Sequence, residues 1–215
     1  MKTRILLILT ILMIMTMACS LPSFGSKDTP APPTPTPTPD TGMQLYYGIG
    51  MQIMLPPSYV AEDIDSELPT IIATIKDFVG GDSGPLSNLV DSIEGNIGWY
   101  GYDSDNAAVY PTRLIILRNK AFSKLPVSMI SLGLEQVLGN DSALVDSDSI
   151  KLGGRNITRL SYSKDSTAWV AYIFKEADYL WLALYLTTPA NMAAEMEDFE
   201  LSVSSILIDA VQPAP

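Results

Sequence analysis

Two pairs of aspartates, each pair separated by one residue, carry oxygen atoms with which this chain could bind a cation. They are Asp103/Asp105 and Asp146/Asp148. Calcium takes about six to eight oxygen ligands, often from flexible loops, so a calcium site at Asp103, Asp105, Asp146 and Asp148 is one expectation. Neither pair has the central glycine and distal glutamate of a calcium-binding loop. Solvated turn aspartates are therefore the competing interpretation.

The composition excludes most catalytic sites that proteins use. The chain has 215 residues and no histidine, which rules out Ser-His-Asp and Cys-His nucleophiles and every histidine-ligated zinc or haem. Ser161 and Lys164 have the S-x-x-K spacing of penicillin-binding serine enzymes, but Ser161 falls at a predicted strand end and the K-T-G motif is absent. We expect no enzyme. A hydrolase based on paired carboxylates is an alternative without positive support.

The charge balance excludes a nucleic-acid partner. With 13 Lys+Arg against 24 Asp+Glu, the formal net charge is −11. Proteins that bind DNA or RNA need a basic surface that replaces the counterions of the phosphates. The sequence therefore predicts no nucleic-acid binding.

The N-terminus has the outline of a signal peptide. Lys2 and Arg4 precede the apolar run Ile5–Met17, which is shorter than the roughly 20 residues that a membrane-spanning helix needs. Cys19, the single cysteine of the chain, follows this run. It has no second cysteine with which to form an intramolecular disulfide, so an exported protein needs another explanation for it.

The segment Thr16-Met17-Ala18-Cys19 resembles the lipobox of bacterial lipoproteins. The resemblance implies removal of residues 1–18 as a signal peptide and attachment of diacylglycerol to Cys19. It departs from the family pattern at Thr16, where leucine is usual. The implied protein is extracytoplasmic and held on the cell membrane by lipid, since several acyl chains anchor more firmly than one. A plain secreted form is the alternative.

Residues 19–42 are rich in proline and threonine and predict an extended tether. Proline fixes the backbone and removes hydrogen-bond donors, so the repeat at Thr34–Pro39 favours polyproline II. At about 3.1 Å per residue, the proline-rich segment spans roughly 60 Å. A ligand for a proline-binding partner is the alternative to a spacer.

Residues 43–211 form the predicted single globular domain, followed by a C-terminal tail at 212–215. Apolar periodicity predicts an opening strand over Met51–Leu55, which the following prolines end, and a helical insertion from Ser66 to Gly95. Ser66 is the predicted N-cap of the first helix of this insertion, and a second helix is predicted over Pro85–Ile93. Gly48-Ile49-Gly50 is a predicted turn, and Lys175–Asp178 is the predicted connection of a hairpin in which Trp181 and Leu182 face opposite ways.

Later helices are predicted from Pro126 and, behind a Thr187/Thr188 cap, from Pro189. The last helix is expected to bury Phe199 and Val203 and to leave its acidic residues solvated, namely Glu195, Glu197, Asp198 and Glu200. The remaining predicted strands are Ile97–Tyr102, Arg113–Arg118, Ala143–Leu152, Arg155–Tyr162, Trp169–Phe174 and Tyr179–Thr187.

This order of elements, with Leu55-Pro56-Pro57, Gly153-Gly154 and a closing helix that carries Phe199, is similar to that of PsbP/Mog1-like domains. The resemblance implies an α+β fold, an α/β/α sandwich around a mainly antiparallel sheet. The helical insertion after the first strand departs from the shortest members. Many members are exported or lipid-anchored accessory proteins without known catalysis. The histidine metal ligands of photosynthetic members do not transfer to a chain without histidine.

The sequence therefore predicts a lipid-anchored, non-enzymatic binding or accessory module of the cell envelope. The alternative is a ligand-binding or calcium-binding protein that serves a transporter or an envelope complex. Five aromatic residues could line a groove for a sugar or peptide, although aromatic residues at strand spacing are more often core. They are Trp99, Tyr100, Tyr102, Trp169 and Tyr172. The identity of the envelope protein or ligand is left open.

Overall fold

The computed structural model describes residues 42–78, 95–105, 111–138 and 143–208. All of them belong to the compact unit Asp40–Pro215, which contains the predicted domain. Cys19, the tether and the predicted second helix of the insertion, Pro85–Ile93, lie outside the described residues.

The described residues contain strands and helices in mixed order. The strands are β1 (Gln44–Gly48), β2 (Met51–Leu55), β3 (Tyr59–Ala61), β4 (Ile97–Asp103), β5 (Arg113–Asn119), β6 (Ala143–Leu152), β7 (Arg155–Lys164), β8 (Thr167–Glu176), β9 (Tyr179–Thr187) and β10 (Leu207–Ile208). The α-helices are α1 (Ile64–Phe78), α2 (Val127–Leu138) and α3 (Pro189–Ser204), and a 3-10 helix covers Ala121–Lys124.

Two antiparallel sheets organise the domain. The larger sheet has seven strands in the order β3-β4-β5-β9-β8-β7-β6, and the smaller has the order β1-β2-β10. Every strand pair is antiparallel. The predicted mixed α+β class with a mainly antiparallel sheet is confirmed.

The β8–β9 hairpin is tighter than its sequence indicated. The sequence placed its connection at Lys175–Asp178, but Glu176 still pairs with Tyr179. Only Ala177 and Asp178 form the turn, with φ of 49° and 61°. Two positive φ values match the twist of the flanking strands, as in two-residue hairpin loops.

The prediction that the domain opens with Met51–Leu55 is wrong, because β1 precedes that strand and pairs with it. No side chain of β1 is fully buried, so β1 lacks the alternation by which a strand is recognised. The glycine-containing segment between the two strands is a turn, as expected, and Gly50 has a φ of 71°.

Helix α1 begins before the residue that the sequence favoured as its cap. Ser66 lies inside the helix, and its hydroxyl donates to the carbonyl of Asp63 (3.0 Å). Asp63 Oδ1 accepts from the backbone N–H of Asp65 (3.1 Å). Asp63 therefore satisfies one of the open N–H groups of the first turn, which is the role of an N-cap.

The two faces of the seven-stranded sheet are covered by different elements. On the face that we call the α1/α2 face, helices α1 and α2 pack through Ile71, Ile75 and Leu134. On the opposite face, the α3 face, helix α3 and the small sheet pack through residues that include Phe199 and Ile53. The predicted three-layer sandwich is thus present.

Helix α3 begins as its sequence predicts. Thr188 is the N-cap, and its hydroxyl oxygen accepts from the backbone N–H of Asn191 (3.2 Å). Pro189 occupies the first turn, where its missing N–H costs nothing. Phe199 and Val203 are buried as expected, so this helix closes the α3 face.

Candidate functional site

The first aspartate pair of the expected cation site lies at the end of β4. Asp103 is 7% exposed, and its Oδ1 accepts from the backbone N–H of Asp105 (3.0 Å). Together with Glu195 and Asp198 of α3, the two aspartates line a small pocket of about 220 Å³. The pocket is acidic, and its carboxylates come from two distant parts of the chain.

The second pair lies on β6 and is engaged by an arginine of the neighbouring strand. Arg159 Nη2 donates to Asp146 Oδ2 (2.7 Å) and to Asp148 Oδ2 (2.9 Å), while its Nη1 donates to Glu200 of α3. Burial opposes the charge of Arg159, but its hydrogen bonds to Asp146 and Glu200, together with their negative charges, outweigh burial and raise the arginine pKa. These carboxylates therefore fasten β6 and α3 to β7.

The structure does not bring the two aspartate pairs together. β4 and β6 are five strand positions apart in the seven-stranded sheet, which corresponds to roughly 24 Å at about 4.8 Å per strand. Among the described residues, no group of three or more acidic or other metal-ligating side chains is arranged to hold a metal ion. One calcium site shared by the four aspartates is therefore not formed.

Two acidic residues of α3 are not the solvated side chains that the sequence indicated. Glu200 binds Arg159, and Glu195 Oε2 accepts from the hydroxyl of the buried Thr112 (3.0 Å). Burial raises the pKa of Glu195 above its ordinary value, the bond from Thr112 lowers it, and the charges of Asp103 and Asp198 raise it again. Glu197 and Asp198 are exposed, as expected.

Four of the five aromatic residues that could have lined a groove belong to the core, whereas Tyr102 is half-buried and lies in neither core cluster. Trp99 and Tyr172 are buried on the α3 face, and Tyr100 and Trp169 on the α1/α2 face. Since they point to opposite sides of the sheet, they share no surface. The interpretation of these four residues as core is confirmed.

An apolar cavity, which the sequence reasoning missed, lies on the α1/α2 face. It has a volume of about 170 Å³ and lies where α2 and the 3-10 helix cross the ends of β5, β8 and β9. Its lining consists of Leu117, Arg118, Asn119, Phe122, Leu125, Met129, Ile130, Gly133, Leu134, Ile173, Leu180 and Leu182. Apolar pockets with few polar groups are the usual form of ligand sites.

The sequence carried two signals of this cavity. Leu125 and Met129 are apolar yet 38% and 60% exposed, which marks an apolar surface that its own fold does not cover. Gly133 lies inside α2, where glycine weakens a helix by about 1 kcal/mol relative to alanine. A Cβ built on Gly133 would meet no atom within 4 Å, so packing does not explain this glycine.

The sequence matches no protein-family model and no curated protein. Solved structures resemble the chain at low sequence identity. PsbP of the cyanobacterium Synechocystis is 12% identical and has a TM-score of 0.48 over 86% of this chain and 98% of its own. LpqN of Mycobacterium tuberculosis, described as involved in cell envelope biogenesis, is 10% identical, with a TM-score of 0.44 over 79% of this chain and 92% of its own.

A third structure, the protein PA94 of Pseudomonas aeruginosa, is 11% identical, with a TM-score of 0.41 over 80% of this chain and 98% of its own. The PsbP-like architecture that the element order implied is thus found among the structural neighbours. With TM-scores below 0.5, these likenesses carry no conclusion about function. Among the described residues, no helix combines the length and the apolar character needed to cross a membrane.

Proposed function

We propose that this chain is an extracytoplasmic lipoprotein, anchored to the cell membrane through Cys19, whose folded domain serves the envelope by binding an apolar group rather than by catalysis. The observation that carries the proposal is the apolar cavity between α2 and the seven-stranded sheet. The cavity is formed by side chains of the domain itself and opens at exposed Met129.

The chemistry of the lining supports binding. The described lining residues include no carboxylate, hydroxyl or thiol, the groups that serve as nucleophiles or proton carriers. What such a surface offers a ligand is removal of apolar area from water, worth about 25 cal/mol per Å². Affinity without bond breaking is the activity that this arrangement favours.

The anchor is supported by the sequence that precedes the domain. Ala18-Cys19 follows an apolar run of signal-peptide length, and the proline-rich tether separates Cys19 from β1. A spacer of roughly 60 Å would let the domain meet ligands away from the lipid surface.

The anchor is tested by expressing the full chain in a bacterial host beside Cys19→Ala, with Ser20→Ala as a matched control. We expect acyl mass at Cys19 and recovery in the detergent phase for the unaltered chain and for Ser20→Ala, with both lost in Cys19→Ala. A free thiol at Cys19 in the unaltered chain would overturn the anchor.

The binding half is tested separately with 1-octanol, an uncharged alkyl probe. Ten methionines are present in the chain, and labelled methionine methyl groups report on Met129 by NMR once Met129→Leu has assigned its signal. We expect octanol to shift the Met129 signal saturably. No shift at octanol saturation would overturn the cavity as a binding site.

A further inference from the structure

The residues that line the apolar cavity come mainly from a basic stretch of an acidic chain. Between Arg113 and Leu134 the sequence contains four basic residues and no acidic residue, although acidic residues outnumber basic ones by 24 to 13 overall. The four are Arg113, Arg118, Lys120 and Lys124. This stretch supplies most of the cavity lining.

Three lysines are neighbours, along the chain or across a strand pair, of residues that line the cavity. Lys120 and Lys124 are exposed and adjoin the lining residues Asn119 and Leu125 along the chain. Lys175 pairs with the lining residue Leu180 across β8 and β9. Because side chains alternate along a strand, Lys175 is on the same face as Ile173, which also lines the cavity.

Other charges near the mouth do not cancel these lysines. Two carboxylates adjoin the lining by chain position, Asp178 in the β8–β9 turn and Glu135 directly after Leu134. Glu176 is bound by Arg155 on the α3 face. The guanidinium of Arg118 lies over the ring of Tyr179, 5.4 Å from its centroid, and we assign it no role in the binding. Lys120, Lys124 and Lys175 leave a net positive rim.

The interior of the cavity suits a short hydrocarbon. An apolar cavity of about 150 Å³ in another protein stays dry and accepts one benzene molecule, so a volume of about 170 Å³ has room for a group of comparable carbon number. Met129 at the opening is 60% exposed, and a methionine side chain adapts readily to an alkyl chain.

Gly133 keeps this space open at a cost to α2. Alanine in the same position would strengthen the helix by about 1 kcal/mol and would meet no atom within 4 Å. The helix thus forgoes stability where a side chain would enter the lining.

We infer that the cavity takes the alkyl tail of a single-chain carboxylate amphiphile, a medium-chain fatty acid, whose carboxylate lies at the rim of Lys120, Lys124 and Lys175. The inference rests on the proposed binding function and adds the chemical class of the ligand. Apolar contact supplies the affinity, and the lysines select the anion over a neutral or cationic head of the same tail.

The test compares three probes of equal tail length, octanoate, 1-octanol and octylammonium, on the full chain with Cys19→Ala, so that no attached acyl chain competes. Dissociation constants are read from the Met129 methyl signal at pH 7. We expect octanoate to bind about threefold or more tighter than octanol, in keeping with weak exposed charge pairs, and octylammonium to bind weakest. The preference should vanish in about 1 M salt, where charges are screened beyond roughly 3 Å.

Two sets of variants, each with a control, locate the carboxylate head group and the alkyl tail of the bound amphiphile. Lys120→Gln and Lys124→Gln should bring octanoate towards the affinity of octanol and leave octanol unchanged, whereas Lys151→Gln on edge strand β6 should alter neither. Gly133→Leu should abolish binding of octanoate and octanol, while Ser128→Leu, which adds the same side chain on an exposed position of the same helix, should retain both. Methyl spectra of the free proteins show whether each variant is folded.

The outcomes separate the inference from the function on which it rests. Equal affinities for octanoate and octanol would overturn the fatty-acid inference and leave the binding module standing. So would an octanoate preference that survives the combined replacement of Lys120, Lys124 and Lys175 by glutamine. Binding of none of the three probes would overturn both. If the unaltered chain carries no acyl group at Cys19 while Cys19→Ala still binds octanoate, only the lipoprotein half of the proposed function is overturned.

Discussion

The α3 face and the α1/α2 face of the same sheet are built for different purposes. Large rings fill the α3 face, where Tyr185 stacks on Phe199 with centroids 4.1 Å apart and meets Tyr172 edge-on at 6.1 Å. The α1/α2 face is lined mainly by aliphatic side chains and contains the apolar cavity. The α1/α2 face retains an apolar space, whereas the pocket at the edge of the α3 face is lined by carboxylates.

Charged side chains reinforce this difference. Arg155 donates to Glu176 and to the carbonyl of Ile206, and Arg159 binds acidic residues of β6 and α3. All of these bonds lie on the α3 face. The comparison teaches that, among the described residues, ring stacking and these ion pairs are concentrated on the α3 face, while the apolar cavity lies on the other.

The largest expected change in the free energy of unfolding comes from removing a buried ring on the α3 face. Phe199 is 2% exposed and stacks on Tyr185, so Phe199→Ala should lower the free energy of unfolding by about 3–5 kcal/mol. Met129→Ala, at the mouth of the cavity, should change it by no more than about 0.5 kcal/mol. Urea denaturation of the two variants measures both values.

Equal losses of unfolding free energy in these two variants would contradict the difference between the two faces, because the α1/α2 face would then be packed as tightly as the α3 face. A small loss in Phe199→Ala alone would mean that α3 contributes little to the stability of the domain.

A smaller change in the free energy of unfolding, of opposite sign, is expected from a substitution in the cavity lining. Gly133→Ala should raise the free energy of unfolding by about 1 kcal/mol, because alanine is the better helix former and its Cβ meets no neighbour within 4 Å. Thermal and urea unfolding check the sign. A destabilised Gly133→Ala would show that the space beside α2 is already filled.

The smallest effect depends on pH and concerns the acidic pocket at the edge of the α3 face. The pKa of Glu195 is raised by burial above 4.5, so its neutral form is favoured in the folded chain. Stability from this residue is therefore fully present below pH 4.5 and is lost as the pH rises through the folded pKa. Glu195→Gln, which keeps an acceptor for Thr112, should not show this loss.

The measurement is the difference in Tm between the unaltered chain and Glu195→Gln from pH 4 to 8. As the pH rises, the Tm of Glu195→Gln should increase relative to that of the unaltered chain. The control Glu197→Gln, on the exposed side of α3, should follow the pH dependence of the unaltered chain. A pH-independent difference would show that Glu195 ionises as freely as an exposed glutamate.

Most of the fold could be predicted because its elements bury regular patterns. The alternation of Trp181 and Leu182 in β9 assigned the two faces correctly, and Pro189 with its threonine cap fixed the start of α3. β1 was missed because it buries no side chain completely. A strand with neither face fully buried leaves little trace in hydrophobic periodicity.

The candidate site could not be predicted in the same way. The cavity joins Leu117, Met129 and Leu180 from elements distant in the chain, and each residue by itself is an ordinary core or surface residue. The aspartate pairs were visible in the sequence. Whether they form a shared cation site is decided by Arg159, which binds one pair, and by the sheet order, which separates the two pairs. Spacing along the chain showed neither fact.

The small sheet has a consequence for how the domain is completed. β10 pairs with β2, and Ser205 accepts from the backbone N–H of Met54, a contact that spans 151 residues. β2 cannot acquire its second neighbour until Ile208 has left the ribosome. Contacts of such long sequence separation slow folding, so in a newly made chain β2 has only β1 beside it until residues 207–208 have been synthesised.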